Sequence, residues 1–201
     1  MWPFRKRIPL KDSGIFEGFT DWHSHILPGV DDGVQTMEEA LEILRLYEEL
    51  GVKSVWLTPH IMEDIPNTTA HLWERFAELQ ATYTGPITLH LAAENMLDNL
   101  FEERLEKNDL LPLGENGDHL LVETSYFNPP MGLNNILLRI KSKGYSPRSG
   151  TSGTICVYGC WRLPAIEGDE RDVPTQFVQH CWRLWNGSEK ESRMAVEERL
   201  L

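Results

Sequence analysis

One stretch of the chain carries apolar residues at helical spacing, and it is the clearest element of the sequence. The apolar positions of this stripe are Leu41, Ile43, Leu44, Leu46, Tyr47 and Leu50. Thr36 is the predicted N-cap, Glu39 lies three residues later and completes a capping box, and Gly51 ends the helix.

Shorter apolar runs and helical stripes alternate along the chain as far as Gly144. Strands are predicted at 16–22, 52–57, 87–91 and 119–122. Further helices are predicted at 68–81, 97–105 and 131–141. Because strands alternate with helices, the pattern indicates parallel strands in an α/β sheet or barrel. Another strand is expected after Gly144, but the sequence there supplies no strand pattern.

Composition and charge narrow the classes of function. The 201 residues are 41% hydrophobic and 25% charged, which is typical of a globular domain with its own core. The formal net charge of −12 argues against nucleic-acid or anionic-membrane binding and is compatible with a divalent cation. The sequence contains no transmembrane-length apolar run and no signal-peptide core, so the expected compartment is the cytoplasm.

Composition shifts near Pro147 and divides the chain into three predicted segments. These are a basic arm at 1–14, a main domain at 15–147 and an irregular tail at 148–201. All three cysteines lie in the tail, at Cys156, Cys160 and Cys181. Their odd number and the lack of a Cys-x-x-Cys pair argue against a disulfide framework and against a zinc finger.

Ligand-type side chains occur where the predicted strands end. They are His23 and His25 after the first strand, Asp31 and Asp32 on the next loop, His60 after the second strand, Glu94 after the third and Glu123 at the end of the fourth. In barrels and open α/β sheets, ligands bind at the carboxyl ends of the strands. Imidazole and carboxylate together suit Zn²⁺, Mn²⁺ or Fe²⁺ without selecting one of them.

Each of these residues alone has an ordinary structural explanation. A His-x-His pair is common by chance, and Asp31-Asp32-Gly33 by itself is typical of a loop that leads into a helix. Ligand-type residues at four strand ends together are much less expected by chance. The remaining histidines considered, His71, His90 and His119, lie early in a helix, inside a strand and at the start of a strand, and we interpret them as structural.

The string DWHSHILPGVDDG from Asp21 to Gly33, followed by Thr58-Pro59-His60, resembles the PHP (polymerase and histidinol phosphatase) superfamily. Within it, the string resembles bacterial tyrosine-protein phosphatases of capsule and exopolysaccharide loci, over about residues 16–147. The resemblance implies a distorted (β/α)7 barrel, here a partial one, that holds a metal cluster, most often manganese. The positions that match family ligands are His23, His25, Asp32, His60, Glu94 and Glu123, with Asp21 and Asp31 as candidates that orient the ligands.

The resemblance also implies a reaction and a partner. The reaction is hydrolysis of phosphotyrosine on the tail of a bacterial tyrosine kinase, by metal-activated water and without a protein nucleophile. The kinase would bring the protein near the inner membrane. Two alternatives remain open: a histidinol-phosphatase-like enzyme acting on a small phosphomonoester, and an inactive remnant that binds the kinase tail. The oligomeric state and the polysaccharide pathway are left open.

The family pattern breaks after Pro147. The family continues with two apolar residues and Ala-His-Pro-Glu-Arg, whose His is a ligand and whose Arg contacts phosphate, whereas this chain continues Arg148-Ser-Gly-Thr-Ser-Gly-Thr154. Permitted codons for 150–156, shifted by one base, would encode Ala-His-Pro-Glu-Arg-Tyr. We therefore hypothesise that the chain from about 148 onward is a frameshifted translation; the alternative is a divergent natural tail. Little phosphatase activity and poor solubility are expected.

Overall fold

The computed structural model describes residues 13–125 and 130–149, and strands alternate with helices throughout this part of the chain. The strands are β1 (Thr20–Ser24), β2 (Ser54–Leu57), β3 (His60–Ile61), β4 (Thr88–Leu91), β5 (Glu94–Met96), β6 (His119–Glu123) and β7 (Ser146–Ser149). The helices are α1 (Met37–Leu50), α2 (Thr69–Thr82), α3 (Asn99–Lys107) and α4 (Leu133–Ser142). None of these helices is long and apolar enough to cross a membrane.

The strands form two sheets in which every neighbouring pair is parallel, as the alternating pattern predicts. The first sheet has the order β1-β2-β4, and the second has the order β3-β5-β6-β7. The chain passes from the first sheet to the second twice, from β2 to β3 and from β4 to β5. Both passages lie at the carboxyl ends of first-sheet strands, which is where the ligand-type residues were predicted to gather.

Helix α1 forms as its local sequence predicts. The hydroxyl oxygen of Thr36 accepts the backbone N–H of Glu39, and the Glu39 carboxylate accepts the backbone N–H of Thr36. Gly51 ends the helix at a φ of 88°, in the left-handed region that glycine adopts without a steric penalty. The apolar face of α1, including Leu44 and Tyr47, is buried in the largest hydrophobic cluster of the described residues.

A second hydrophobic cluster lies between two later helices and β6. Phe101 and Leu105 of α3 meet Ile136 and Ile140 of α4, and Leu120 of β6 packs against them. Each such side chain contributes about 1.5–3 kcal/mol when fully buried, so this cluster fixes the strand that carries Glu123.

Two strand predictions need correction. The first strand occupies Thr20–Ser24 rather than 16–22, because the chain turns near Gly18 and Phe16 enters the core from that turn. A further strand was expected after Gly144 although the sequence supplies no strand pattern there, and a strand does form, since β7 pairs in parallel with β6. Its sequence, Ser-Pro-Arg-Ser, has no apolar run, and its proline is tolerated because β7 is the last strand of the described sheet.

The predicted segment boundaries stay predictions. Strand β7 runs across the boundary proposed at Pro147. Residues 1–12 of the predicted basic arm, and 150–201 of the predicted tail, lie outside the described residues. The partial barrel that the resemblance implies also stays a prediction, because the described strands form two parallel sheets.

Candidate metal centre

The six ligand-type side chains that match family positions come together in space. In the described part of the chain they form three groups whose donor atoms lie within 4.8 Å of one another. The groups are His23, His25 and Glu94; His25, Asp32 and His60; and His60, Glu94 and Glu123. Because neighbouring groups share a residue, the three form one continuous cluster.

Glu94 lies at the centre of the cluster. Its Oε2 atom is 3.1 Å from His23 Nε2, 3.3 Å from His25 Nε2 and 3.3 Å from His60 Nδ1. Ligands bound to one cation at about 2.0–2.2 Å lie roughly 3.0–3.5 Å apart in tetrahedral or octahedral geometry. The separations around Glu94 are compatible with donors that share a cation as well as with hydrogen bonds.

The cluster has a buried side and an open side. Glu94 is only 2% exposed, whereas the side chain of Asp32 is 61% exposed. Asp32 Oδ1 lies 3.6 Å from His60 Nε2, and Glu123 Oε2 lies 3.8 Å from the other ring nitrogen of His60. A ligand from solvent would thus reach the cluster past Asp32.

The donor set fits a divalent cation. His60 Nδ1 and Glu94 Oε1 are buried and have no hydrogen-bond partner within the described residues. The Nε2 atoms of His23 and His25 face each other at 3.2 Å. Buried polar atoms are normally hydrogen-bonded, and a cation would satisfy several of these converging lone pairs together. Two imidazoles with a carboxylate suit a transition-metal ion.

The shifted pKa values of the cluster also fit a cation site. Burial alone would lower the pKa of His25, but hydrogen bonds to Asp31 and Glu94 raise it to about 10. Burial would raise the pKa of Glu94, but its hydrogen bonds with His23 and His25 hold it well below the usual value. Burial, together with the Glu94 charge, raises the pKa of Glu123 to about 7. Without a metal, a positive histidine balances the carboxylates, and a cation would displace that proton.

Asp31 holds the open side of the cluster in place. Its Oδ2 atom accepts hydrogen bonds from His25 Nδ1 at 2.7 Å and from the backbone N–H of His60 at 3.0 Å. The bond to Nδ1 turns Nε2 of His25 toward the cluster, which is how carboxylates orient metal-ligating histidines. A Cβ on Gly33 would lie 2.3 Å from the carbonyl oxygen of His25, so the Asp-Asp-Gly turn needs glycine there.

Asp21, the other predicted orienting carboxylate, contacts His23 through the backbone. It is buried and accepts the backbone N–H of His23 at 3.2 Å and the hydroxyl of Tyr47 at 2.8 Å. Burial raises the pKa of Asp21 to about 6, although the bond from Tyr47 opposes the shift. From the sequence, Tyr47 was assigned only to the apolar stripe, because a hydrophobic pattern does not indicate a hydrogen bond from its hydroxyl.

The three histidines interpreted as structural do not join these groups in the described part of the chain. His71 is exposed on α2. His90 stacks on Trp56, with ring centroids 4.6 Å apart. His119 begins β6, and its Nε2 atom lies 3.2 Å from Arg148 Nη2.

Comparison with known proteins gives a consistent result. A protein-family model described as "Capsular polysaccharide synthesis, CpsB/CapC" matches residues 19–148. The tyrosine-protein phosphatase YwqE of Bacillus subtilis (strain 168) is 28% identical over 131 residues, which is 63% of this chain and 51% of YwqE. The putative tyrosine-protein phosphatase CapC of Staphylococcus aureus is 26% identical over 132 residues, again 63% of this chain and 51% of the relative.

A solved structure shares the fold over 65% of the chain. It comes from work on YwqE of Bacillus subtilis and CpsB of Streptococcus pneumoniae, described as unique metal-dependent tyrosine phosphatases. The similarity has a TM-score of 0.58 and 26% identity, and it covers 65% of this chain and 54% of the other. The chain thus spans about half the length of the curated relatives that it matches.

Proposed function

Since this chain belongs to the CpsB/CapC family of capsular polysaccharide synthesis, we propose that its cluster is the centre of a metal-dependent protein-tyrosine phosphatase. The substrate in this proposal is phosphotyrosine on a bacterial tyrosine kinase that controls capsule or exopolysaccharide synthesis. Its location would be the cytoplasm, near the inner membrane through the kinase. The observation that carries the proposal is the convergence of imidazole and carboxylate donors on Glu94.

The proposed ligands fall into a buried group and a more exposed group. His23, His25 and Glu94 would hold a buried cation, while Asp32 and His60 would complete a more open position. Glu123 faces His60 from the other side of the cluster. When bound, divalent cations supply a water nucleophile at neutral pH and neutralise phosphate charge. Manganese is the proposed metal, with Zn²⁺ and Fe²⁺ as the alternatives that the donor set also suits.

The phosphate would approach past Asp32, the one strongly exposed member of the proposed ligand set. Asp31 would keep the Nε2 atom of His25 directed at the cluster during turnover, because its bond to Nδ1 fixes the ring. No side chain of the set acts as a covalent nucleophile in this proposal.

We expect turnover by this chain to be impaired. The family's Ala-His-Pro-Glu-Arg, with its ligand histidine and phosphate-contacting arginine, does not follow Pro147 in this sequence. Binding of metal should therefore survive better than catalysis. This same break favours the second candidate function, a remnant that binds the phosphorylated kinase tail without hydrolysing it.

The test separates metal binding from turnover in the purified full chain. Calorimetric titration with Mn²⁺ should show binding that Glu94→Gln abolishes, while Glu42→Gln, an exposed carboxylate on α1, leaves it unchanged. A phosphotyrosine peptide should be hydrolysed slowly but faster than by Glu94→Gln, and faster than a small phosphomonoester.

Three outcomes would change the proposal. Wild-type chain that binds no Mn²⁺ would refute the metal centre. Faster turnover of the small phosphomonoester would favour the histidinol-phosphatase-like alternative. Capture of the phosphopeptide with no hydrolysis above the Glu94→Gln background would favour the binding remnant.

A further inference from the structure

Two asparagines each join a pair of segments that carry proposed ligands. Asn67 Nδ2 donates to the carbonyl oxygens of Val30 at 2.7 Å and of His60 at 2.9 Å. Asn95 Nδ2 donates to the carbonyl oxygens of Ala93 and Leu121, both at 3.0 Å. Carbonyl oxygens only accept hydrogen bonds, so in both cases the NH₂ end of the amide must face them.

The Asn67 amide spans the open side of the cluster. Val30 lies two residues before Asp32 on its loop, and His60 is itself a proposed ligand. The bonds therefore tie the Asp32 loop to the start of β3. The position of Asn67 is fixed in turn by α2, whose N-cap is the next residue, Thr68.

The Asn95 amide spans the buried side of the cluster. Asn95 follows Glu94 in β5 and is only 1% exposed. Its bond to Leu121 reaches the strand that carries Glu123 two residues later. Its own Oδ1 is buried without a partner among the described residues, which costs free energy that an apolar residue would avoid. What the amide contributes at this buried position is its pair of donated bonds to Ala93 and Leu121.

From these bonds we propose that Asn67 and Asn95 are positioning residues of the metal centre. Asn67 sets the separation of Asp32 from His60, and Asn95 sets that of Glu94 from Glu123. Outer partners of metal ligands typically change metal affinity by about 10–100-fold when they are removed. This inference rests on the proposed metal centre and adds to it the groups that fix its spacing.

The experiment measures Mn²⁺ binding by the full chain with calorimetry, and the Mn²⁺ environment with electron paramagnetic resonance. Asn67→Ala should weaken the open position about tenfold, and Asn95→Ala should weaken the buried position by a similar factor. Asn67→Leu has about the same size as Asn67 but cannot donate and adds no charge, so it should weaken binding about as much as Asn67→Ala. Asn99→Ala is the matched control, because its amide donates to the Glu63 carboxylate outside the cluster.

The outcomes are distinguishable. If the asparagines have a purely structural role, the variants will melt at a lower temperature in EDTA but keep the Mn²⁺ dissociation constants and resonance spectrum of the wild type. That result would overturn this inference and leave the proposed function intact. A wild-type chain without Mn²⁺ binding would overturn the proposed function and this inference together. If Asn95→Ala fails to fold, the two Asn67 variants carry the test, since Asn67 is only partly buried.

Discussion

Replacing Tyr47 with phenylalanine tests whether the buried bond beneath His23 contributes to stability. The substitution keeps the ring in the core and removes only the hydroxyl that donates to Asp21 at 2.8 Å. Burial and the Asp21 charge raise the pKa of Tyr47 well above its usual value, so the hydroxyl is a donor at every working pH. Asp21 is 2% exposed, and water cannot readily replace the lost donor.

The expected cost follows from that burial. At a pH well above its pKa of about 6, Asp21 is charged, and a hydrogen bond to a charged group contributes about 1.5–3 kcal/mol to the free energy of unfolding. Tyr145→Phe is the control, because the Tyr145 hydroxyl donates to a neutral acceptor, Asn108 Oδ1, at 3.2 Å in an exposed pair. That bond should contribute only about 0.5–1.5 kcal/mol. Urea unfolding in EDTA gives both values without a contribution from bound metal.

The reasoning fails if Tyr47→Phe costs no more than Tyr145→Phe, since burial and the charge of the acceptor would then not determine the strength of the bond. It also predicts a modest effect on the metal centre. Asp21 holds His23 through the backbone N–H rather than the ring, so the Mn²⁺ affinity of Tyr47→Phe should fall less than that of Asn67→Ala.

Three further predictions address the cores, the first helix and the tail. Phe101→Ala should lower the unfolding free energy by about 3–5 kcal/mol in urea titrations, whereas alanine at the exposed Leu138 should change it by less than about 0.5 kcal/mol. Thr36→Ala should cost about 1 kcal/mol in the same assay, because the α1 capping box is lost, and an unchanged midpoint would contradict this role. Resequencing the gene across codons 145–156 should reveal one base missing or extra relative to this reading; an intact frame would support a divergent natural tail.

The helices could be predicted because their signals are local. The Thr36 box, the apolar stripe and Gly51 lie within one short stretch, and each acts on its neighbours in sequence. Strands β3 and β5 could not be predicted, because they have two and three residues and exist only through pairing with each other. Strand β7 has no strand pattern for a related reason, since only its ladder with β6 makes it a strand.

The functional site, like the fold, could be predicted only in part. The types of ligand could be predicted, because imidazoles and carboxylates after strands of a parallel sheet are expected to gather at its carboxyl edge. The groups that hold these ligands in position could not be predicted. The bonds of Asn67 to Val30 and of Asn95 to Leu121 join residues far apart in sequence, and an asparagine in a loop or strand gives no signal of such a bond.

The spacing of the cluster depends on two connections of equal length. Thr58-Pro59 joins β2 to β3, and Ala92-Ala93 joins β4 to β5. Leu57 pairs with Leu91 in the first sheet, so three positions later His60 pairs with Glu94 in the second. Side chains alternate along a strand, so one extra residue in either connection would place one of these ligands on the wrong face. The register of the two sheets, as much as the identity of the residues, therefore brings His60 beside Glu94.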